Sequence, residues 1–257
     1  MRILVVGDSC KDIFIYGDIN RLTPEAPVPV FQPIRERSNA GMANNVVKNV
    51  EALNSTVYSI TNKNSIKKIR YVDDKSNQMV LRVDEHDYCD RIDEVILSTI
   101  QNNKCHIPMT GEIEVDAIII SDYDKGFLLE DDIKFICENN TNVFVDTKNR
   151  LGKWIVDCDY LKINDLEYEQ NKDFFETPGN HHILKKTIIT KGRNGCEFQG
   201  KIYSTDDVPV KDISGAGDTF LAGLTKEYVK TKNIFSAISF AQDCTKIVVQ
   251  KHGVSTI

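Results

Sequence analysis

The segment of this chain best suited to chemistry is Asp212-Ile213-Ser214-Gly215-Ala216-Gly217-Asp218-Thr219-Phe220. Its small residues let backbone N–H groups approach an anion closely. Phe220, Leu224 and Tyr228 then recur at helical spacing, so the loop opens a helix. A helix N-terminus offers unpaired donors and the positive end of a dipole, which suits a phosphate. Asp218 has two readings there. It can cap the helix, or it can stand beside the anion hole as a base that takes a proton from a hydroxyl attacking a γ-phosphate.

Such a loop must be held by a scaffold. Short β-branched runs at 2–6, 56–61, 117–121, 143–146, 160–163, 187–190 and 196–198 alternate with helix-like stretches, the pattern of a parallel sheet with crossover helices. Val46, Val50 and Leu53 form one helical face, and Ile234, Ile238, Ala241 and Val248 form another that Gly253 terminates. Residues 4–6 and 118–120 are apolar on both faces, as a doubly covered central sheet requires. Two regions fall outside the alternation. Residues 17–33 are proline-rich and extended, and 66–72 with 78–84 alternate in polarity around Asp73-Asp74-Lys75-Ser76-Asn77 as a hairpin does. The link 62–65 is too short for a crossover, so the chain must run directly from sheet to flap. The expectation is one domain over 1–257 with flap segments near 12–36 and 66–84. The hairpin's Ile66, Ile69, Met79 and Val83 are expected to cover the substrate or to pair with a second copy as a homodimer.

Composition narrows the function classes. Of 257 residues, 27% are charged and 41% hydrophobic, with 32 basic and 38 acidic side chains giving a net charge of −6. That mildly acidic balance disfavours nucleic acid as the main partner. No apolar run approaches the roughly 20 residues of a membrane span, and Asp8 interrupts any leader-like apolar region, so a cytoplasmic protein is expected. Seven scattered cysteines without Cys-x-x-Cys read as reduced thiols, and the adjacent His181 and His182 read as loop residues.

Residues 212–220 resemble the C-terminal signature of the ribokinase-like (phosphofructokinase-B) carbohydrate kinases, Asp-x-x-Gly-Ala-Gly-Asp-x-Phe. The resemblance continues in order along the chain. Asn39-Ala40-Gly41-Met42-Ala43-Asn44-Asn45-Val46 is similar to the family's N-terminal glycine–asparagine signature, and Val145-Asp146-Thr147-Lys148 to its Asp-Pro-Lys element. Asn164-Asp165-Leu166-Glu167 is similar to Asn-x-x-Glu, and Thr190-Lys191-Gly192-Arg193-Asn194-Gly195 to the nucleotide loop. Within the family, Arg21-Leu22-Thr23-Pro24-Glu25-Ala26-Pro27-Val28-Pro29-Val30, Ser121-Asp122-Tyr123-Asp124-Lys125-Gly126 and the terminal Gly253-Val254-Ser255-Thr256-Ile257 resemble the heptose 7-phosphate kinases of ADP-heptose biosynthesis. Many of those kinases are fused to a cytidylyltransferase-like domain, and the expectation is that no such nucleotidyltransferase follows here.

The resemblance implies a three-layer α/β/α sandwich with a mostly parallel sheet and a small β lid. It also implies ATP and Mg²⁺ as cofactors and phosphorylation of a heptose 7-phosphate at its anomeric hydroxyl. A kinase for a different sugar or sugar phosphate, and a non-catalytic nucleotide or sugar binder descended from one, remain alternatives. By the same implication Asp218 is the base, and the N–H groups of Gly215, Ala216 and Gly217 are the anion hole. Lys148, Thr190, Lys191, Gly192 and Gly195 line the nucleotide site, with Asn164 and Glu167 holding the waters of Mg²⁺. Asp12, Asn39 and Gly41 face the sugar, and Arg82, Lys125 and Arg70 are candidates for its distal phosphate. The chain departs from the pattern at Thr147 and Ile163, where prolines are usual, at 241–245, and at the short link 62–65, where relatives carry about one further helix and strand.

Overall fold

The computed structural model describes residues 1–251 and 253–257. The chain begins with β1 (Arg2–Gly7), β2 (Ser9–Leu22) and β3 (Pro29–Met42), then α1 (Ala43–Ala52), β4 (Thr56–Thr61), β5 (Ile66–Asp73) and β6 (Met79–Glu85). After α2 (Glu94–Ser98) and the hairpin β7 (Lys104–Ile107) and β8 (Gly111–Glu114), it continues through β9 (Ala117–Asp122), α3 (Glu130–Asn139), β10 (Val143–Thr147) and β11 (Tyr160–Asn164). Three short helices follow, α4 (Asp165–Gln170), α5 (Lys172–Glu176) and α6 (His181–Leu184). The chain closes with β12 (Thr187–Thr190), β13 (Cys196–Phe198), β14 (Lys201–Tyr203), α7 (Ala216–Thr231) and α8 (Ile234–Val249).

Eight strands form the main sheet in the order β14-β13-β12-β11-β10-β9-β1-β4. Pairings from β4 to β12 are parallel, and β13 and β14 add an antiparallel edge. Strand alternation sends Leu4, Val6, Ile118 and Ile120 into one core, with α2 and α3, and Ile3, Val5 and Ile119 into another, with α1, α7 and α8. The three layers follow from that two-sided apolarity. The strand order reverses between β1 and β9, which makes their carboxyl ends the crevice where such sheets bind ligands. Close contact there depends on Gly7, since a Cβ on it would lie 1.9 Å from the Ser121 carbonyl oxygen.

The lid is a separate four-stranded sheet, β3-β2-β5-β6. The direct passage expected at 62–65 is present and pinned. Asn62 accepts from the Ser9 N–H at 2.6 Å and donates to the carbonyls of Ser9 at 3.1 Å and Asn64 at 2.6 Å.

The proline-rich stretch is extended as expected: it joins the two 14-residue strands β2 and β3 and supplies their adjoining ends, and Pro33 is tolerated because β3 is an edge, where a missing donor costs little. Other elements depart from the sequence expectation. His181 and His182 open the short helix α6 and are not loop residues. Of the hairpin's apolar positions, Ile66 is fully buried, and the exposed ones are Met79, Val80 and Leu81 on the outer strand.

Candidate active site

Asp218 occupies the first turn of α7, whose N-cap Gly215 adopts φ 80°, a left-handed conformation natural to glycine. Packing fixes the helix: Phe220, Leu221 and Leu224 are buried, and Gly223 lets α8 approach, a Cβ there lying 3.2 Å from the Ala241 Cα. Asp212 holds the loop in front, accepting from the Ser214 N–H at 2.8 Å and the Gly253 N–H at 3.0 Å. The Ala216 N–H is turned back to the Ile213 carbonyl at 3.2 Å. The loop's donors are therefore Gly215 and Gly217, and the expected third donor is occupied.

The Asp218 carboxylate is buried and gripped on both oxygens. The Tyr123 hydroxyl donates to Oδ1 at 2.6 Å, and the Asn45 amide donates to Oδ2 at 2.8 Å. Burial pushes this carboxyl up to about 6, while Tyr123 and Asn45, by hydrogen bonding to the ionised form, pull it down. The capping reading fails, because both carboxylate oxygens are taken by donors from other elements, Tyr123 and Asn45, and the residue lines the cleft.

The cleft has a volume of about 540 Å³. Along its floor runs a chain of alternating charges. Glu167 pairs with Lys148, Lys148 lies 3.5 Å from Asp146, and Asp146 pairs with Lys162 at 2.6 Å. Lys162 Nζ lies beneath the anion loop, only 2.8 Å from where a Cβ on Gly217 would be. Burial alone would push the Asp146 carboxyl up, but Lys162 and Lys148 outweigh it and leave it below the usual range. Thr190, Gly192 and Gly195 line the cleft. Lys191 does not; it pairs with Glu197 at 2.6 Å, and Arg193 lines the wall instead. Asn164 and Glu167 form a reciprocal capping box at the start of α4, each accepting the other's N–H at 2.8 Å. Among the described residues no three acidic, histidine or cysteine side chains converge as direct metal ligands.

Among the residues expected at the sugar, Asp12 is buried in β2 and ion-paired with Arg70 of β5. Gly41 leaves room for that carboxylate, since a Cβ there would lie 2.3 Å from Asp12 Oδ2. Its role is therefore clearance for Asp12. The Asn39 amide donates to the Val254 carbonyl at 2.8 Å. Arg82 forks onto Asp84 at 2.7 and 2.8 Å, and Lys125 pairs with Asp87 at 2.7 Å.

Sequence reasoning missed Asn45, Tyr123, Asp146 as part of the charge chain, and Lys162. Asn45 carried a signal, because with Asn49 it falls beside Val46 and Val50 on the face of α1 that packs inward. Lys162 carried another, a lone cation between the apolar Leu161 and Ile163 in a buried strand.

The family profile for pfkB family carbohydrate kinases matches residues 48–257. The chain is similar to the Bifunctional protein HldE of a Nitratiruptor species, 29% identical over 297 residues. That similarity covers 99% of this chain and 63% of the relative, so the chain spans less than two thirds of the relative's length. Its fold is similar to that of ribokinase from Thermotoga maritima, with TM-score 0.67 at 19% identity over 98% of this chain and 94% of that one. It is likewise similar to Arabidopsis thaliana ribokinase complexed with ribose and ATP, with TM-score 0.64 at 14% identity over 98% and 93%. The architecture is thus ribokinase-like.

Proposed function

This chain belongs to the pfkB family of carbohydrate kinases, phosphotransferases with a sugar hydroxyl as acceptor, and we propose that its acceptor sugar carries a phosphate of its own. The observation that supports this is one face of the lid. Arg37, Phe14, Arg70 and Arg82 stand in register across its four strands, and Asn39, Asp12, Lys68 and Asp84 form the adjacent row. Residues directly opposite share a face, so within these two rows Arg37, Lys68, Arg70 and Arg82 stand with Asp12 and Asp84, and Asp87 lies 3.9 Å from Lys68. Arg70 stands directly opposite Arg82, and although Asp12 and Asp84 already pair with them, the four cations of these two rows outnumber the rows' two carboxylates, which suits an anionic acceptor. The same face meets Val254, which in turn lies against Gly215 of the anion loop.

The acceptor we propose is D-glycero-β-D-manno-heptose 7-phosphate, phosphorylated at O1 to the 1,7-bisphosphate. The likeness to HldE and the residues 21–30 support that sugar. ATP would lie in the 540 Å³ cleft with its phosphates toward Gly215, Gly217, Lys148 and Lys162. Asp218 takes the acceptor hydroxyl's proton as the sugar oxygen bonds to the γ-phosphorus, the β–γ bridge breaks and ADP leaves. A magnesium ion carried by the ATP phosphates would supply charge neutralisation. It commonly keeps several waters, and Asn164 and Glu167, at the cleft edge and already bonded to one another, are placed to meet it only through those waters.

The test is a panel of free and phosphorylated sugars with Mg-ATP, read by ADP release. The heptose 7-phosphate should outperform free heptose, and Arg70→Gln should raise its KM at least about tenfold, the scale of one lost charge-assisted hydrogen bond. Turnover of free sugars alone sinks the phosphorylated-acceptor reading. Turnover of a different sugar phosphate keeps it and replaces the heptose.

A further inference from the structure

Tyr123 is not assigned a role by the anion-loop chemistry, yet its placement is unusually constrained. It follows β9 at the point where the strand order reverses. Its own N–H donates to Asp8 Oδ2 at 2.6 Å, and the Phe127 N–H donates to Asp8 Oδ1 at 3.2 Å, so one buried carboxylate ties both ends of the loop to β1. Within the loop the Asp124 N–H donates to Asp122 at 3.0 Å, and Asp124 and Gly126 adopt φ 56° and 96°. These left-handed turns keep the loop short and direct the phenol ring into the cleft, where it forms part of the lining.

We propose that the Tyr123 hydroxyl is a positioning residue for the base: it fixes the Asp218 carboxylate toward the acceptor hydroxyl and keeps it ionised. The inference rests on Asp218 acting as that base. The 2.6 Å bond to Oδ1 opposes the 2.8 Å bond from Asn45 to Oδ2. Donors on two separate elements, the β9 loop and α1, therefore stop the carboxylate rotating. Each carboxylate oxygen can accept more than one hydrogen bond, so the acceptor hydroxyl can join without displacing either donor. The phenol is a dependable donor, because burial and the neighbouring Asp218 push its own titration well above the usual range.

Other groups also face Asp218. Asp146 on β10 raises its proton affinity and Lys162 on β11 lowers it, with Lys148 following β10 and Cys10 on β2 also within electrostatic range. Removing the Tyr123 hydroxyl leaves these charges in place, so its effect can be read by itself.

The experiment is a ¹³C NMR titration of protein labelled at aspartate Cγ, with the Asp218 resonance assigned by its loss in Asp218→Asn. It needs no acceptor sugar, so an incorrect acceptor does not obscure it. In Tyr123→Phe the Asp218 titration should move upward by about one pH unit, the scale of one hydrogen bond to an ionised group. With any sugar the enzyme accepts, the acid limb of kcat should move with it, while the KM for ATP stays within about twofold. Site-specific 3-fluorotyrosine at position 123, a more acidic donor of nearly the same shape, should move the titration the other way and covers the case of a poorly folding phenylalanine variant. An Asp218 titration unchanged in both proteins overturns the proposal. So does a loss of activity in Tyr123→Phe with an unmoved acid limb, which is the signature of a structural role.

Discussion

At the scale of single residues, Asp218 sets the pH behaviour. Burial raises its carboxyl to about 6, so the proposed base is ionised above that pH and carries its own proton below it. Activity should therefore fall as pH drops through about 6, about two units above where an ordinary aspartate would place the limb. Asp218→Asn should lower turnover by about 10²–10⁴-fold. The same shift bears on stability. A carboxyl whose folded pKa exceeds its unfolded value favours the folded state below about 4, and that contribution is lost as pH rises through 6. Above pH 6 the native protein carries a buried charge at a cost, and the asparagine variant does not. Its melting temperature at pH 8 should accordingly be no lower than that of the natural protein, measured by calorimetry. A large loss of stability would mean that the carboxylate supports the fold through Tyr123 and Asn45 more than it serves catalysis.

Among the elements, what was legible in the sequence followed a simple division. Elements with a regular apolar period were readable: β1, β9, α1, α7, α8 and the hairpin of β5 and β6 lie where periodicity places them. β2 was hidden because Ile13 to Tyr16 is apolar without alternation; it is the central strand of the lid's first three and is buried on both faces. α3 was hidden because three acidic residues crowd its first turn, where they suit the helix dipole but obscure the apolar face of Ile133, Ile136 and Cys137. In the site, the loop 212–220 was legible because its chemistry is local. Tyr123, Asn45 and Lys162 were not, since they reach Asp218 or its loop from three other elements that only the fold brings together. The lid's outer strand carries a further consequence. β6 is an open edge with Met79, Val80 and Leu81 exposed, and such an edge is a template for strand pairing. We propose that a second copy pairs there. Light scattering at micromolar concentration should read a dimer, and Leu81→Lys should shift it to monomer; a wild-type monomer excludes the pairing.

Across the whole molecule, charge is distributed against the net balance. The chain carries −6 overall, which repels both ATP and a sugar phosphate at long range. Yet the lid presents Arg37, Lys68, Arg70 and Arg82 on one face, whereas the cleft's Lys148 and Lys162 are matched by Asp146 and Glu167. Arg37 has no acidic partner in ion-pair range among the described residues. On the proposed reading, cations concentrated on that lid face offset the global repulsion only within a screening length. That length shrinks from about 30 Å to about 10 Å as ionic strength rises from about 0.01 M to about 0.1 M. The exposed lid arginines Arg37 and Arg82 should lose attraction over this range, whereas Lys162, almost fully buried against Asp146, should not. With ATP saturating and free magnesium held constant, the KM of a phosphorylated acceptor should therefore rise several-fold while kcat stays level. A free sugar carries no charge for the lid to attract, and its KM should hardly change. Equal salt dependence for the two acceptors would show that the lid arginines do not face the acceptor's phosphate, and that some other group distinguishes the sugars.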